Sequence, residues 1–392
     1  MNPRSIARLA IDGGAPVREH LLPYGRQTIE DDDVAAVAAM LREPLLTTGP
    51  HVAAFEAALA ARCGVGHAVA VNNGTTALHA MYVAAGLREG DEVVVPPVTF
   101  AATAVAALWC GARPVFADLD SETLNLSAAR AADAVTPRTR FVTTVDFAGL
   151  ASDAGALRDA TQRPVYCDGA HSLGATVQGR PVQSTFAAAT TSFHPVKHIT
   201  TGEGGAVLTD DAELAARVRR FRHHNLVLTP EVGPWAYDIA EPGMNYRLPD
   251  INAALGVSQL AKLDRFLARR RALAQRYRSL LAPFAEVLEG PPGEGETHAW
   301  HLFIVRVRGA FAERRRWVFD ALRAEGIGVQ MHYAPLHLHT LFRERFGHTE
   351  GDFPVAEDYG RRAVSLPIFP GMTDADQDDV VEALARVLGV KP

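Results

Sequence analysis

Between about residues 53 and 210, short apolar runs alternate with stretches of helical spacing. Segments 53–62, 75–85 and 101–110 read as helices. Segments 68–71, 92–95, 114–117, 141–145, 165–167, 188–192 and 206–208 read as strands. Short apolar strands separated by helices predict a largely parallel sheet covered on both faces, an α/β fold. The pattern changes after a Gly/Pro-rich stretch at 230–249. From 251 to 281 apolar residues recur at helical spacing (Leu260, Leu263, Leu267, Leu273, Tyr277, Leu280), and a Gly, Pro and Glu loop follows at 290–295. A strand at 302–307, a helix at 311–325, a strand at 328–332 and a helix at 374–388 predict a smaller α+β unit. The expected division is a large domain over 1–249, including the N-terminal segment, and a small domain over 250–392 that begins with a long connecting helix.

Bulk properties narrow the chemistry. A chain of 392 residues can bury a large core. Its balance of 39 basic against 45 acidic residues leaves −6, so no basic excess invites nucleic acid. The clusters Arg269-Arg270-Arg271 and Arg314-Arg315-Arg316 fall in helical stretches and are expected on solvated faces. Cys63, Cys110 and Cys167 are odd in number and far apart, which fits a reducing compartment without a disulfide framework or zinc site. Arg4, Arg8, Asp12 and Gly13-Gly14 precede any long apolar run, so no signal peptide is expected. The most apolar run, 101–108, is far short of the roughly 20 residues that span a bilayer. A cytoplasmic protein with no membrane contact is the expectation. Among many arginines stand only three lysines: Lys197, Lys262 and Lys391.

Three segments carry candidate chemistry. Val71-Asn72-Asn73-Gly74-Thr75-Thr76-Ala77-Leu78 joins a strand to a helix, whose free N–H groups and positive dipole end form a natural phosphate site. Gly74 would permit close approach and Thr75 could donate; an ordinary capped helix explains the same residues. Val165-Tyr166-Cys167-Asp168-Gly169-Ala170-His171 puts a carboxylate at the end of a buried strand, where open α/β sheets bind ligands. Asp168 there needs a positive or hydrogen-bonding partner, which a protonated pyridine nitrogen would be, although a helix N-cap is the plainer reading. The third segment runs from Thr191 through Lys197 to Gly205, from a strand through a Gly-rich turn into another strand. A lysine between an apolar strand and a tight turn is poorly explained as a solvated charge. With Lys262 on an amphipathic helix and Lys391 next to the end, Lys197 is the natural choice if the chemistry needs a Schiff-base amine. Desolvation or a nearby cation would supply its neutral form.

Together with Leu46-Thr47-Thr48-Gly49-Pro50, Pro97-Val98-Thr99-Phe100, Gly243-Met244-Asn245-Tyr246-Arg247 and Leu366-Pro367, these segments resemble the DegT/DnrJ/EryC1/StrS family of sugar aminotransferases. These are pyridoxal-phosphate (PLP) enzymes of fold type I, and the likeness covers nearly the whole chain. Within the family, Tyr24-Gly25-Arg26-Gln27, Val145-Asp146-Phe147-Ala148-Gly149, the stretch from Phe193 to Gly205 and His332-Tyr333-Ala334-Pro335 are most similar to the branch that aminates C4 in pseudaminic-acid biosynthesis. Two positions depart from the common pattern: Asn73 replaces the usual serine, and His224-Asn225 replaces His-Gly.

The resemblance implies roles. Lys197 would carry PLP as a Schiff base and then shuttle the proton; Asp168 would pair with the pyridine nitrogen; His171 would contact the phenolic oxygen. Phe100 would stack on the ring, while Gly74, Thr75, Thr76 and Ser192 would hold the phosphate. Asn245 would reach that phosphate from a neighbouring subunit, implying a homodimer with shared sites. Tyr24, Thr48, His332 and Tyr333 are the candidates for the sugar side. The implied reaction moves an amino group from L-glutamate to the C4 ketone of a UDP-linked 2-acetamido-2,6-dideoxy-hexos-4-ulose. Its products are UDP-4-amino-4,6-dideoxy-N-acetyl-beta-L-altrosamine and 2-oxoglutarate.

Three rivals stand beside this. One is a same-family aminotransferase for another nucleotide keto sugar or an aminocyclitol. A sugar dehydratase of the family would carry histidine where Lys197 stands. A non-catalytic PLP-binding regulatory protein would keep the cofactor without turnover. His332, His337 and His339 lack a carboxylate cluster and helical spacing, so no metal is expected.

Overall fold

The computed structural model of the protein describes residues 8–390, so Arg4 and Lys391 lie outside the described residues. Seven strands form the main sheet: β1 His67–Val71, β2 Glu92–Val95, β3 Arg113–Phe116, β4 Thr139–Val145, β5 Val165–Asp168, β6 Ala188–Ser192 and β7 Gly205–Thr209. Their spatial order is β1-β7-β6-β5-β4-β2-β3, with β7 antiparallel to both neighbours and the other contacts parallel. The expected α/β architecture with a mostly parallel sheet is therefore present.

Period-two alternation sorts each strand between two cores. In β1, Ala68 and Ala70 join one apolar cluster, while Val69 and Val71 join the other. Helices α1 Asp31–Met40, α2 Pro50–Cys63, α3 Gly74–Ala84 and α4 Ala101–Trp109 belong to this half. So do α5 Ala128–Asp133, α6 Ala154–Thr161, α7 Ala212–Phe221 and α8 Asp250–Leu260. Phe55 and Leu59 of α2 pack on the first face; Ala77, Leu78 and Met81 of α3, with Ala102 and Ala106 of α4, pack on the second. Asp211 starts α7 by accepting from the N–H groups of Glu213 and Leu214.

The expected continuous helix over 251–281 breaks at Ala261–Lys262, and α9 runs Leu263–Leu280. Lys262 does not ride an exposed face. Its buried amine lies 2.6 Å from Asp32 and 2.7 Å from Asp33, so a salt-bridge cluster occupies the break. Arg270 is another exception to the expected solvated cluster, being fully buried, whereas Arg269 pairs with Asp374.

A hairpin pairs β8 Leu226–Leu228 with β9 Tyr237–Ile239, and the smaller sheet pairs β10 Leu288–Glu289, β11 Phe303–Val307 and β12 Ala363–Leu366, accompanied by α10 Arg315–Ala324, α11 Thr340–Phe346, α12 Pro354–Arg362 and α13 Asp374–Leu388. The strand expected at 328–332 is absent. That segment makes only single bridges, Ile327 with Leu22 and Gln330 with Ser365, because its neighbours change every few residues. Strand β12 takes the expected place in the ladder. The N-terminal segment, grouped above with the large domain, packs on this unit: Leu22 lies in its core, and Glu325 accepts from the N–H groups of Ala10 and Val17. No helix among the described residues is long and apolar enough to cross a membrane.

Candidate active site

The carboxyl end of β5 delivers Asp168 into a cleft facing α4. Thr103 Oγ1 donates to Asp168 Oδ2 at 2.7 Å, and the Ala170 N–H donates to Oδ1 at 3.2 Å. Thr99 stands 2.7 Å behind Thr103. The carboxylate is thus oriented from the protein side while retaining lone pairs for a donor in the cleft.

After β6, the chain turns sharply through 193–204 before returning as β7, and Lys197 sits in that turn. Its N–H donates to His194 O at 2.8 Å; Thr200 Oγ1 and the Thr201 N–H donate to Phe193 O, both at 3.0 Å. Asn252 of α8 donates to Thr201 O at 2.6 Å, tying the turn to the helix. Lys197 keeps some surface toward the cleft, but protein surrounds the rest. Burial lowers its amine to about 8, with the Arg270 guanidinium acting in the same direction and Asp168 opposing it.

At the other end of the cleft, α3 begins beside Ser192. A Cβ on Gly74 would stand 2.9 Å from Ser192 Cβ, so glycine is what lets the helix start approach β6 so closely. Asn73 caps this helix: its Oδ1 accepts the Thr76 N–H at 2.8 Å, and the Thr76 hydroxyl donates back to Asn72 Oδ1 at 2.6 Å. In this structure the Thr76 hydroxyl is thus engaged in the cap. Among the described residues, the N–H groups of Gly74 and Thr75 meet no acceptor. The other departure also has a local reason: Asn225 has φ 54°, a conformation in which asparagine is the usual substitute for glycine.

Five rings close the cleft. Phe100, N-cap of α4, leaves its ring exposed 6.0 Å from that of Tyr333. The Tyr333 hydroxyl lies 3.4 Å from His171 Nε2. His332 packs 5.1 Å from Tyr24, and its Nδ1 meets Ser365 Oγ at 2.9 Å. Burial, followed by the Lys197 charge, pushes His171 well below the usual imidazole range and His332 to about 3, so both rings are neutral. His337 instead bonds buried Glu357 at 2.9 Å, well engaged away from His332.

Two of the sequence-derived candidates lie elsewhere on the chain. Thr48, with φ 59°, lines a separate cavity of about 330 Å³ with Arg219, Arg222, His223 and Arg247. Asn245 is exposed and bridges to His223 at the same place. One residue was missed: buried His301, whose Nε2 lies 3.4 Å from Lys197 Nζ. Nothing in its local sequence marks it, since it comes close to Lys197 only through packing of the small unit.

The cleft offers free N–H groups at one end, a carboxylate at the other, an aromatic face and an amine between them. That donor set fits a flat group with an anionic tail, a ring nitrogen that carries a proton, and a carbonyl. The DegT/DnrJ/EryC1/StrS aminotransferase family model matches residues 27–385. Spore coat polysaccharide biosynthesis protein SpsC of Bacillus subtilis (strain 168) is 37% identical over 381 residues, 95% of this chain and 98% of that one. PseC of Helicobacter pylori, an aminotransferase involved in the biosynthesis of pseudoaminic acid, superposes with TM-score 0.89 at 27% identity, covering 94% of this chain and 99% of that one. Spr1654 of Streptococcus pneumoniae in its PLP-form gives TM-score 0.88 at 28% identity, covering 94% and 98%. The chain belongs to the DegT/DnrJ/EryC1/StrS aminotransferase family and is a PLP-dependent aminotransferase of fold type I.

Proposed function

We propose that this enzyme transfers the amino group of L-glutamate to the C4 ketone of a UDP-linked 2-acetamido-2,6-dideoxy-hexos-4-ulose. The product would be UDP-4-amino-4,6-dideoxy-N-acetyl-beta-L-altrosamine, on the route to pseudaminic acid in the cytoplasm. The observation that carries the reading is the convergence of Tyr24, His332 and Tyr333 over Lys197 and Asp168 in a chain that superposes on PseC.

Pyridoxal phosphate, once bound, supplies an electron sink for the carbon that loses its proton. The Gly74 and Thr75 N–H groups and Ser192 Oγ would hold its phosphate, and Asp168 would accept from its ring nitrogen. Phe100, His171 and Tyr333 would line its ring. Lys197 removes the proton from the amino-bearing carbon of glutamate and returns it across the cleft; an amine lowered to about 8 has a substantial neutral fraction for this task. Neutral His332 and Tyr24 present a hydrogen-bonding wall to the keto sugar without adding charge beside Lys197.

Thr48 and Asn245 lie together on another surface, which supports a homodimer in which each chain lends both residues to its partner's site. The adjacent hairpin, β-paired over Leu226–Leu228 and Tyr237–Ile239, exposes Leu228, Val232, Trp235 and Tyr237. That is an apolar surface a second copy would cover. A second reading, amination of another nucleotide keto sugar, is favoured by the higher identity to SpsC. Incubation with glutamate and the UDP-4-keto-6-deoxy-N-acetylhexosamine isomers, with product stereochemistry read by NMR, separates the two. Amination of a different sugar from a panel, with these isomers untouched, would select the second.

A further inference from the structure

The roles above leave His301 unused, although considerable structure holds it in place. It precedes β11, is 4% exposed, and packs with its ring centroid 4.3 Å from that of His171 while its Nε2 faces Lys197. From α9, buried Arg270 Nη1 donates to the carbonyls of Trp300 at 3.0 Å, His301 at 3.3 Å and Ile368 at 3.1 Å. On the opposite side, the Ala299 N–H donates to Gly149 O at 2.8 Å and the Leu302 N–H to Ala148 O at 3.1 Å. Gly149 has φ 107°, and a Cβ there would stand 2.8 Å from His171 O and 3.1 Å from His301 N. The turn at Asp146-Phe147-Ala148-Gly149 and the guanidinium of Arg270 together clamp the backbone that carries this imidazole.

We propose that His301 is a positioning residue for Lys197, donating through Nε2–H to the unprotonated amine and fixing it in the cleft. The inference rests on the assignment of Lys197 as the cofactor-bearing amine. The tautomer follows from satisfaction of polar groups. Nδ1 of His301 is buried with no partner among the described residues. A buried N–H without an acceptor is rarer than an acceptor without a donor, so the ring proton belongs on Nε2. An Nε2–H facing Lys197 requires an acceptor, and lysine accepts only when neutral. The groups around the amine agree. Burial comes first and Arg270 second in favouring the neutral form, with Asp168 opposing. His171, His198, His301 and His332 are all held below the usual imidazole range, first by burial, so none contributes a positive charge of its own. Burial raises the Tyr333 hydroxyl, so it contributes no negative charge.

The test labels Lys197 in the apoprotein with limiting acetic anhydride across a pH series and reads the peptide by mass spectrometry. Only three lysines are present, and Lys262 is tied to Asp32 and Asp33, so the signal is clean. His301→Phe keeps a ring against His171 but has no donor. It should move half-labelling upward by about half to one pH unit, leaving roughly three- to ten-fold less neutral amine at a given pH. His301→Gln, whose amide can donate, should restore the wild-type profile. An unmoved profile in folded His301→Phe, or a glutamine variant that behaves like it, overturns the proposal. Should the phenylalanine variant not fold, ¹⁵N shifts of the His301 ring in the wild-type apoprotein decide: protonation at Nε2 supports the proposal and protonation at Nδ1 overturns it. An ordinary lysine profile in the wild type would remove both this inference and the Lys197 assignment. A low profile with no amination of any keto sugar would remove the proposed substrate alone.

Discussion

Asp168→Asn separates the two electrostatic roles assigned to this carboxylate, because they pull measurable quantities in opposite directions. At about pH 7.5, a lysine with the ordinary value of 10.5 is neutral in about one molecule in a thousand, whereas one at about 8 is neutral in roughly a quarter. Burial supplies most of that change and Arg270 adds to it; Asp168 opposes it because a carboxylate favours the neighbouring ammonium. Removing the charge must therefore lower the amine further. Its neutral fraction in the apoprotein can rise at most from about a quarter to all, about fourfold at this pH. Turnover should move the other way, falling about a hundredfold or more, since an amide cannot hold a proton on the ring nitrogen as a carboxylate does. The assay pairs acetylation of Lys197 in the apoprotein with 2-oxoglutarate release from glutamate by the holoenzyme. Slower labelling of Lys197 in the variant would contradict the charge argument. Undiminished 2-oxoglutarate release would contradict the role at the ring.

The remaining expectations are narrower. Lys197→Ala should abolish turnover together with the visible absorbance of the lysine-bound cofactor, and a purified variant that still transaminates would remove Lys197 from the mechanism. Gly74→Ala forces Ser192 away from a Cβ only 2.9 Å distant. It should weaken cofactor affinity by about tenfold, a loss of about 1.4 kcal/mol in a fluorescence titration; unchanged affinity would mean that the phosphate sits elsewhere. Lys262→Met leaves Asp33 fully buried with only neutral donors (Ser258, Gln259 and the Glu30 N–H), and should cost about 2–4 kcal/mol in denaturant unfolding. Burial alone would raise the Asp33 carboxyl, but Lys262 and these donors more than reverse it. The cluster therefore stabilises above the ordinary carboxylate value, and that stability is lost as pH falls through the lowered one. A variant as stable as wild type near neutral pH would refute this.

The positions of Asp168 and Lys197 were legible in the sequence for a local reason. Each sits where a buried strand meets a turn, and a charge there must answer to a partner. For Thr76 the sequence leaves the role open, because serine and threonine hydroxyls and asparagine amides serve equally well as caps and as phosphate donors, and the local structure depends on which side chain closes the capping box. Asn73 closed it. Arg270 was hidden inside an arginine triplet whose spacing looks solvated; its burial depends on three carbonyls supplied by residues 300, 301 and 368.

Alternation of apolar and polar positions, together with the Asp168 and Lys197 segments, was enough to establish the sheet, its helical cover and the place of the proposed reactive amine. Those features follow from interactions within a few residues or along one strand. The chemistry of that amine is a property of the fold, because desolvation and charge act through space. His301, Arg270, His332 and Tyr333 lie more than seventy positions from Lys197 in the chain, and they reach its surroundings only when the small unit closes against the large sheet. The same distance dependence puts Thr48 and Asn245 on a face that a single chain leaves apart from its own lysine.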